Sequence, residues 1–264
     1  MVLAGQPEPP RYFAEMKRIN KAGPRVLGEV ARPPRLPPVA LDTRLRAGDV
    51  VVDTRTAVAY AAGHVPGTLN IPLNGSFTTW AGWLLPYDRD VYLLVDDVGC
   101  AHPDGGSCVE TAVRDLAMIG LDRVAGTLGA DALAAWTAAG HRLETVAQMA
   151  PAEAAAMLVR GDATVIDVRG RAEWEAGHLP GVQNIPVGYL AERLDELPTD
   201  RPVVVHCQGG ARSAIAVSVL QARGRKNVVN LVGGYAAWVQ AGLQTTQEAV
   251  EPAAAGDPAM ATVP

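Results

Sequence analysis

Cysteine is nearly missing from this chain: there are three, Cys100, Cys108 and Cys207, in 264 residues. That is too few for a disulfide framework, and the start MVLAGQPEPPRYF lacks the apolar core of a signal peptide, so the expected setting is a reducing cytoplasm. No apolar run approaches the roughly 18 residues that cross a bilayer, so a soluble protein with no membrane partner is expected. A basic stripe is absent too. Lysine and arginine number 23 against 28 acidic residues, a net charge of −5, which argues against a nucleic-acid partner. What the chain does have is apolar material, 48% of residues, enough for real cores in one large domain or two ordinary ones.

Neither end carries enough of it for a core of its own. Residues 1–38 carry Pro7, Pro9, Pro10, Pro24, Pro33, Pro34, Pro37 and Pro38 among basic residues, and read as an arm or linker. Their spacing allows one short helix around Phe13 to Lys21; disorder and docking onto the next domain both stay open. The tail from 247 to 264 reads as disordered.

Between the ends the chain repeats itself. Val51-Val52-Asp53-Thr54-Arg55, Ala62-Gly63-His64-Val65-Pro66-Gly67 and Asn70-Ile71-Pro72 recur as Val165-Ile166-Asp167-Val168-Arg169, Ala176-Gly177-His178-Leu179-Pro180-Gly181 and Asn184-Ile185-Pro186, at a constant offset of 114. Farther on, Gly129, Ala135-Trp136 and Gly140 echo Gly233-Gly234, Ala237-Trp238 and Gly242. Each copy alternates buried strands with helices, which predicts an α/β fold: two tandem domains, 39–143 and 148–246, each a parallel sheet flanked by helices on both faces. The junction falls near His141 to Met149, ahead of an alanine-rich helix over 151–159.

The stretch Val203-Val204-Val205-His206-Cys207-Gln208-Gly209-Gly210-Ala211-Arg212-Ser213 carries the chemistry. A buried strand, a tight turn and a new helix put Cys207 at the carboxyl end of the strand and the positive end of the helix, where open α/β sheets bind ligands. By residue type alone such a cysteine is a small core residue. Gly209, Gly210, the helix start and Arg212 change that reading, because glycines let successive amides curl toward one anion and an arginine closes the nest. A thiol there is favoured as thiolate, which makes Cys207 the nucleophile candidate. His206 is tempting as a base, but adjacent strand residues face opposite sides and it is expected to pack behind the loop.

The ordered set Asp-x-Arg, Gly-His-x-Pro-Gly-x-x-Asn-Ile-Pro, the Cys207 loop and Gly-Gly-x-x-x-Trp resembles the rhodanese family of sulfurtransferases over about residues 40–246. The resemblance implies a rhodanese fold in both copies and catalysis through a cysteine persulfide. A sulfane sulfur would pass from thiosulfate, or a related persulfide donor, onto Cys207 and then to cyanide or a thiol, making the chain a thiosulfate sulfurtransferase that uses no cofactor and no metal. Gln208, Gly209, Gly210, Ala211 and Arg212 would form the substrate loop, whose amides and guanidinium suit a persulfide anion. Asp167, Arg169 and His178 read as structural support, since Asp53, Arg55 and His64 occupy the same places in the first copy. That copy offers Val95 or Asp96 where Cys207 stands, and is expected to be catalytically inactive. Partners are a small-molecule donor and acceptor, with an acceptor protein as a further candidate.

Two other functions compete. Phosphatases and arsenate reductases also use His-Cys-loop-Arg, but five residues separate their cysteine and arginine where four lie between Cys207 and Arg212. A regulatory or carrier module would load one sulfur and turn over poorly. Cys108 to Arg114 has the five-residue phosphatase spacing but no glycines and reads as helix. Cys100, His102 and Cys108 are short of a closed zinc site and weak as a redox pair. Segments of Pro9 to Pro24 resemble the end of the metallo-β-lactamase-like domain that precedes rhodanese repeats in some bacterial fusions, without its His-x-His-x-Asp-His motif. The central expectation is physical: loop amides turned toward the Cys207 sulfur, and that sulfur within reach of solvent.

Overall fold

A computed structural model describes residues 10, 12–23, 28, 32–96 and 106–247. The chain runs α1 (Tyr12–Ala22), α2 (Ala40–Arg46), β1 (Val50–Asp53), α3 (Ala57–Ala62), β2 (Leu69–Asn70), α4 (Phe77–Leu84), β3 (Val91–Val95), α5 (Cys108–Met118), β4 (Val124–Gly129) and α6 (Asp131–Ala138). It continues with β5 (Ala147–Met149), α7 (Pro151–Arg160), β6 (Thr164–Asp167), α8 (Arg171–Ala176), β7 (Gln183–Asn184), the 3-10 segments Val187–Glu192 and Leu194–Glu196, β8 (Val203–His206), α9 (Ala211–Ala222), β9 (Val228–Leu231) and α10 (Gly234–Gln240). The strands form two parallel sheets, in the orders β2-β1-β3-β4 and β5-β9-β8-β6-β7.

Near-continuous Val/Leu/Ile strands are what a sheet buried on both faces requires, because alternate side chains enter opposite cores. In the first sheet Val52, Val91, Leu93 and Val95 pack with Phe77 and Ala81 of α4 and Ala112 and Leu116 of α5. Val51, Tyr92, Leu94 and Leu128 pack on the other side with Leu41 of α2 and Ala132 of α6. The second sheet divides in the same way: Ile166, Val203 and Val205 face α9, while Val165, Val204 and Leu231 face Ala154 of α7 and Trp238 of α10. The architecture is the predicted one.

Three features add to the sequence expectation or decide between its alternatives. The junction holds a strand, since Ala147 to Met149 pair with Val229 to Leu231 at the second sheet's edge. The described end of the arm docks: Thr127 exchanges backbone hydrogen bonds with Pro34 and Leu36, and Tyr12 packs into the core around α4. And α9 is wedged between the copies. The Asn70 amide donates to Ser218 Oγ at 3.0 Å, Gln221 Nε2 donates to the Thr145 carbonyl at 3.0 Å, and Tyr60, Trp80 and Leu84 of the first copy join the core that α9 fills. Among the described residues, no helix is long and apolar enough to cross a membrane.

Candidate active site

Strand register fixes the correspondence between the copies. Asp167 stands opposite His206, and Asp53 stands opposite Leu94, so the residue after each, Cys207 and Val95, is equivalent. The sequence left Val95 and Asp96 as alternatives; register selects Val95, an apolar core residue.

Cys207 is a free cysteine at the end of β8. The Gly210 amide donates to its Sγ at 3.1 Å. Gly210 makes this possible with φ +100°, a left-handed conformation that a side chain would resist, immediately before α9 begins. Among the described residues, no protein acceptor meets the amides of Gln208, Gly209, Ala211 and Arg212. Unanswered donors at a helix N-terminus are the usual means of holding an anion.

Two expectations need correction. Cys207 is only 1% exposed, so its sulfur lies at the floor of the loop and not at an open rim; the outer residues of the loop, Gln208, Gly209 and Ala211, are exposed. Arg212 stays within electrostatic reach of Cys207, but its hydrogen bonds go elsewhere. Its Nη1 and Nη2 donate to Glu173 Oε2 and Oε1 of α8 at 2.5 and 2.7 Å, a fork-to-fork pair that holds the Glu173 carboxyl below the usual carboxylate range.

The cation buried beneath the loop is Arg169, 2% exposed. It grips Asp167 through Nε and Nη2, the latter at 2.7 Å, and Nη2 also donates to the Gly177 carbonyl at 2.6 Å. Its Nη1 donates to Gln208 Oε1 of the loop at 3.1 Å, and its guanidinium carbon lies 4.2 Å from the centre of the Tyr235 ring. Thus one guanidinium ties strand end, Gly-His turn, loop and α10 together. His178 stacks on Trp174 at 3.7 Å and its Nδ1 lies 2.8 Å from the Trp174 carbonyl, locking that turn. His206 is fully buried on the opposite face from Cys207, its Nε2 3.7 Å from Asp167, and burial pushes its pKa down.

The sequence reading missed the back of the loop. Tyr235 N–H donates to the Cys207 carbonyl at 2.7 Å and Ala236 N–H to the Gln208 carbonyl at 3.0 Å. Gly234, at φ +57°, lies so close that a methyl group there would run into the Cys207 carbonyl. The Gly233-Gly234 pair was the available signal, noted as a repeat but not as a contact. Glu173 was missed too; its spacing three residues after Gly170 marks an N3 position, and it accepts from the Gly170 amide at 3.2 Å.

At Cys108 the phosphatase-like spacing carries no free thiol, and disulfide pairing, held weak above, is present. Cys108 opens helix α5 behind a Ser107–Glu110 capping box. Cys100 and His102 lie outside the described residues. Among the described residues, no group of three or more His, Cys, Asp or Glu is placed to hold a metal.

This fold, with a cysteine loop opening a helix at the end of a central parallel strand, matches the family model of the rhodanese-like domain over residues 38–108 and 150–241, and the chain belongs to that family. It is 39% identical over 82 residues to a sulfurtransferase of Allochromatium vinosum, covering 31% of this chain and 77% of that one. An uncharacterized protein of Bacillus subtilis is 42% identical over 76 residues, 29% of this chain; the match spans 60% of that relative's length. A thiosulfate sulfurtransferase of Pseudoalteromonas translucida is 30% identical over 82 residues, 31% of this chain and 78% of that one.

Proposed function

We propose that the chain is a sulfurtransferase in which Cys207 carries the transferred sulfur as a persulfide. The Cys207 thiolate attacks the outer sulfur of thiosulfate, the S–S bond breaks, sulfite leaves with its electron pair, and the enzyme is left as Cys207–S–S⁻. Cyanide or a thiol then attacks the outer sulfur and restores the thiolate. The observation that carries this reading is the Gly210 amide on Cys207 Sγ, among loop amides with no protein acceptor. Those donors suit the extra negative charge of the persulfide, and Arg169 steadies the loop through Gln208 without touching the sulfur. The first copy, with Val95 at the equivalent position, is inactive in this reading and serves as a partner for α9. Cys207 is available for this chemistry because it is a free thiol, whereas Cys108 is paired.

The short ring also favours sulfur over phosphate. Arg212, the group a phosphatase turns onto its substrate, is engaged by Glu173. The first copy, with Val95 in place of a cysteine, leaves room for a second version of the same chemistry, in which the chain delivers its sulfur to a partner protein and turns over slowly with small acceptors. The amino-terminal arm's likeness to the end of a metallo-β-lactamase-like domain fits a relative of such a fusion, with no metal chemistry of its own.

Intact-mass measurement after exposure to thiosulfate tests the reading. One added sulfur on Cys207 is expected, discharged by cyanide; a protein that stays unmodified, or a sulfur found on another residue, overturns it. Cys100→Ser and Cys108→Ser are expected to leave loading nearly intact.

A further inference from the structure

Arg169 holds more than the frame requires. Its Nε and Nη2 are taken by Asp167 and the Gly177 carbonyl, as those of Arg55 are taken by Asp53 and the Gly63 carbonyl in the first copy. Its Nη1 is the arm that reaches the cysteine loop, where it donates to Gln208 Oε1 at 3.1 Å. A guanidinium has no acceptor, so this bond decides which end of the Gln208 amide turns toward Arg169: the oxygen. The Nε2 group, with its two N–H donors, is left over, and among the described residues no protein acceptor meets it. Gln208 is exposed and stands next to a sulfur at the floor of the loop, and its backbone is pinned by the Ala236 amide, which donates to its carbonyl at 3.0 Å.

The first copy suggests what the glutamine is for. The register that makes Val95 the counterpart of Cys207 makes Asp96 the counterpart of Gln208. A carboxylate accepts from a guanidinium more strongly than an amide does. The second copy has the weaker partner for its arginine, and what the amide adds is a pair of donors, with no negative charge beside the nucleophile.

We propose that Gln208 determines substrate specificity: Arg169 aims its side-chain amide, and Nε2 donates to an oxygen at the sulfonate end of thiosulfate and of the sulfite that leaves. This rests on the sulfur-transfer reading above and gives that reaction a residue for its oxyanion. Arg212, the loop's own cation, has its hydrogen bonds engaged by Glu173, so a neutral donor beside the sulfur is the side chain left for that role. As the Cys207 thiolate attacks the outer sulfur and the S–S bond breaks, the electron pair moves onto the departing sulfite, whose oxygens become stronger acceptors. The bond from Nε2 strengthens with them, and no proton changes hands. In the reverse direction the same contact guides sulfite onto the persulfide. Cyanide has no oxygen and gains nothing from it.

The test uses the full chain, loaded with thiosulfate, freed of excess donor and discharged with sulfite or with cyanide, each step followed by intact mass. Gln208→Met keeps the length and neutrality of the side chain and removes its donors. It is expected to slow thiosulfate loading about tenfold and to lower the ratio of the sulfite to the cyanide discharge rate by about the same factor, the scale of one hydrogen bond to a charged group. Gln208→Glu keeps an acceptor for Arg169 and is expected to lower that ratio at least as far. A residue that served only to latch Arg169 would behave otherwise: Gln208→Met would slow sulfite and cyanide alike, and Gln208→Glu would keep both at the native rate. Either result, or an unchanged ratio in Gln208→Met, overturns the proposal and leaves sulfur transfer standing. A native protein that takes no sulfur from thiosulfate overturns the sulfur-transfer reading itself, and this proposal with it.

Discussion

In the first copy Arg55 grips Asp53 at 2.6 Å and reaches the Gly63 carbonyl, Asn70 bonds the carbonyls of Asp53 and Arg55, and His64 stacks on Tyr60. In the second, Arg169 grips Asp167 and reaches the Gly177 carbonyl, Asn184 bonds the carbonyls of Asp167 and Arg169, and His178 stacks on Trp174. Even the closing contacts agree, with His64 bridged to Glu144 and His178 to Thr246, and with Trp136 and Trp238 each donating to a carbonyl six residues ahead. Around the site the copies part: Cys207 stands against Val95 at the strand end, and Glu173 against Ala59 on the helix that follows Asp-x-Arg. Four residues before each tryptophan, Gly234 stands against Ala132. The motif that announces the family is therefore its frame, and the chemistry resides in a few residues the frame does not specify.

The most severe way to break this comparison is at the sulfur. Cys207→Ser should abolish persulfide loading in intact-mass measurements, while Val95→Cys should not create a second loading site, because Asp96-Asp97-Val98 stand in sequence where Gln208-Gly209-Gly210 follow Cys207. Next come the guanidiniums. Arg55→Met and Arg169→Met each orphan a buried carboxylate, so each should lower stability in urea unfolding by about 3–5 kcal/mol. Only Arg169→Met should also slow loading, since only Arg169 bonds a cysteine loop; equal losses of activity would undo the division between frame and chemistry. Gly234→Ala forces a side chain into a left-handed backbone against the Cys207 carbonyl, at a cost of about 1–3 kcal/mol. Loading should fall with it, whereas Ala132→Gly in the first copy should leave loading unaltered.

The smallest effect is a pH dependence. Burial pushes the His64 pKa down to about 4 from an ordinary 6.5. The unfolded chain therefore binds this proton first as pH falls. His64 subtracts nothing above pH 6.5, and stability is lost progressively between pH 6.5 and 4. At pH 5.5 the loss should be about 1 kcal/mol relative to pH 7. His64→Gln should flatten that part of the profile; an unchanged slope would assign it to other groups.

Fold class and tandem arrangement were legible because the signals are local and doubled. Asp-x-Arg, Gly-His-x-Pro-Gly and the valine runs each fix one short piece of backbone, and the constant offset aligns the pieces without outside help. The loop around Cys207 occurs once, and was legible because its signal is local. Contacts between elements distant in the chain were not. Arg212 reaches Glu173 and Arg169 reaches Gln208 across 39 residues each, and Tyr235 bonds the Cys207 carbonyl from the next strand–helix turn. Proximity to a nest suggested that Arg212 would face the sulfur; a carboxylate one helix away outcompetes it, and nothing in loop spacing encodes that rivalry. The strand Ala147–Met149 escaped notice because it is short and largely exposed at a sheet edge.

Helix α9 is buried along nearly its whole length, from Ser213 and Ile215 through Gln221, an unusual condition for a helix packed on a sheet. Its far flank is roofed by the copy that lacks the cysteine. A fragment beginning at residue 148 would keep every residue of the loop yet lay bare a greasy ridge starting one turn past the nucleophile, and it should clump or pair with itself. The first copy is thus no passenger: it keeps the second dry on one side.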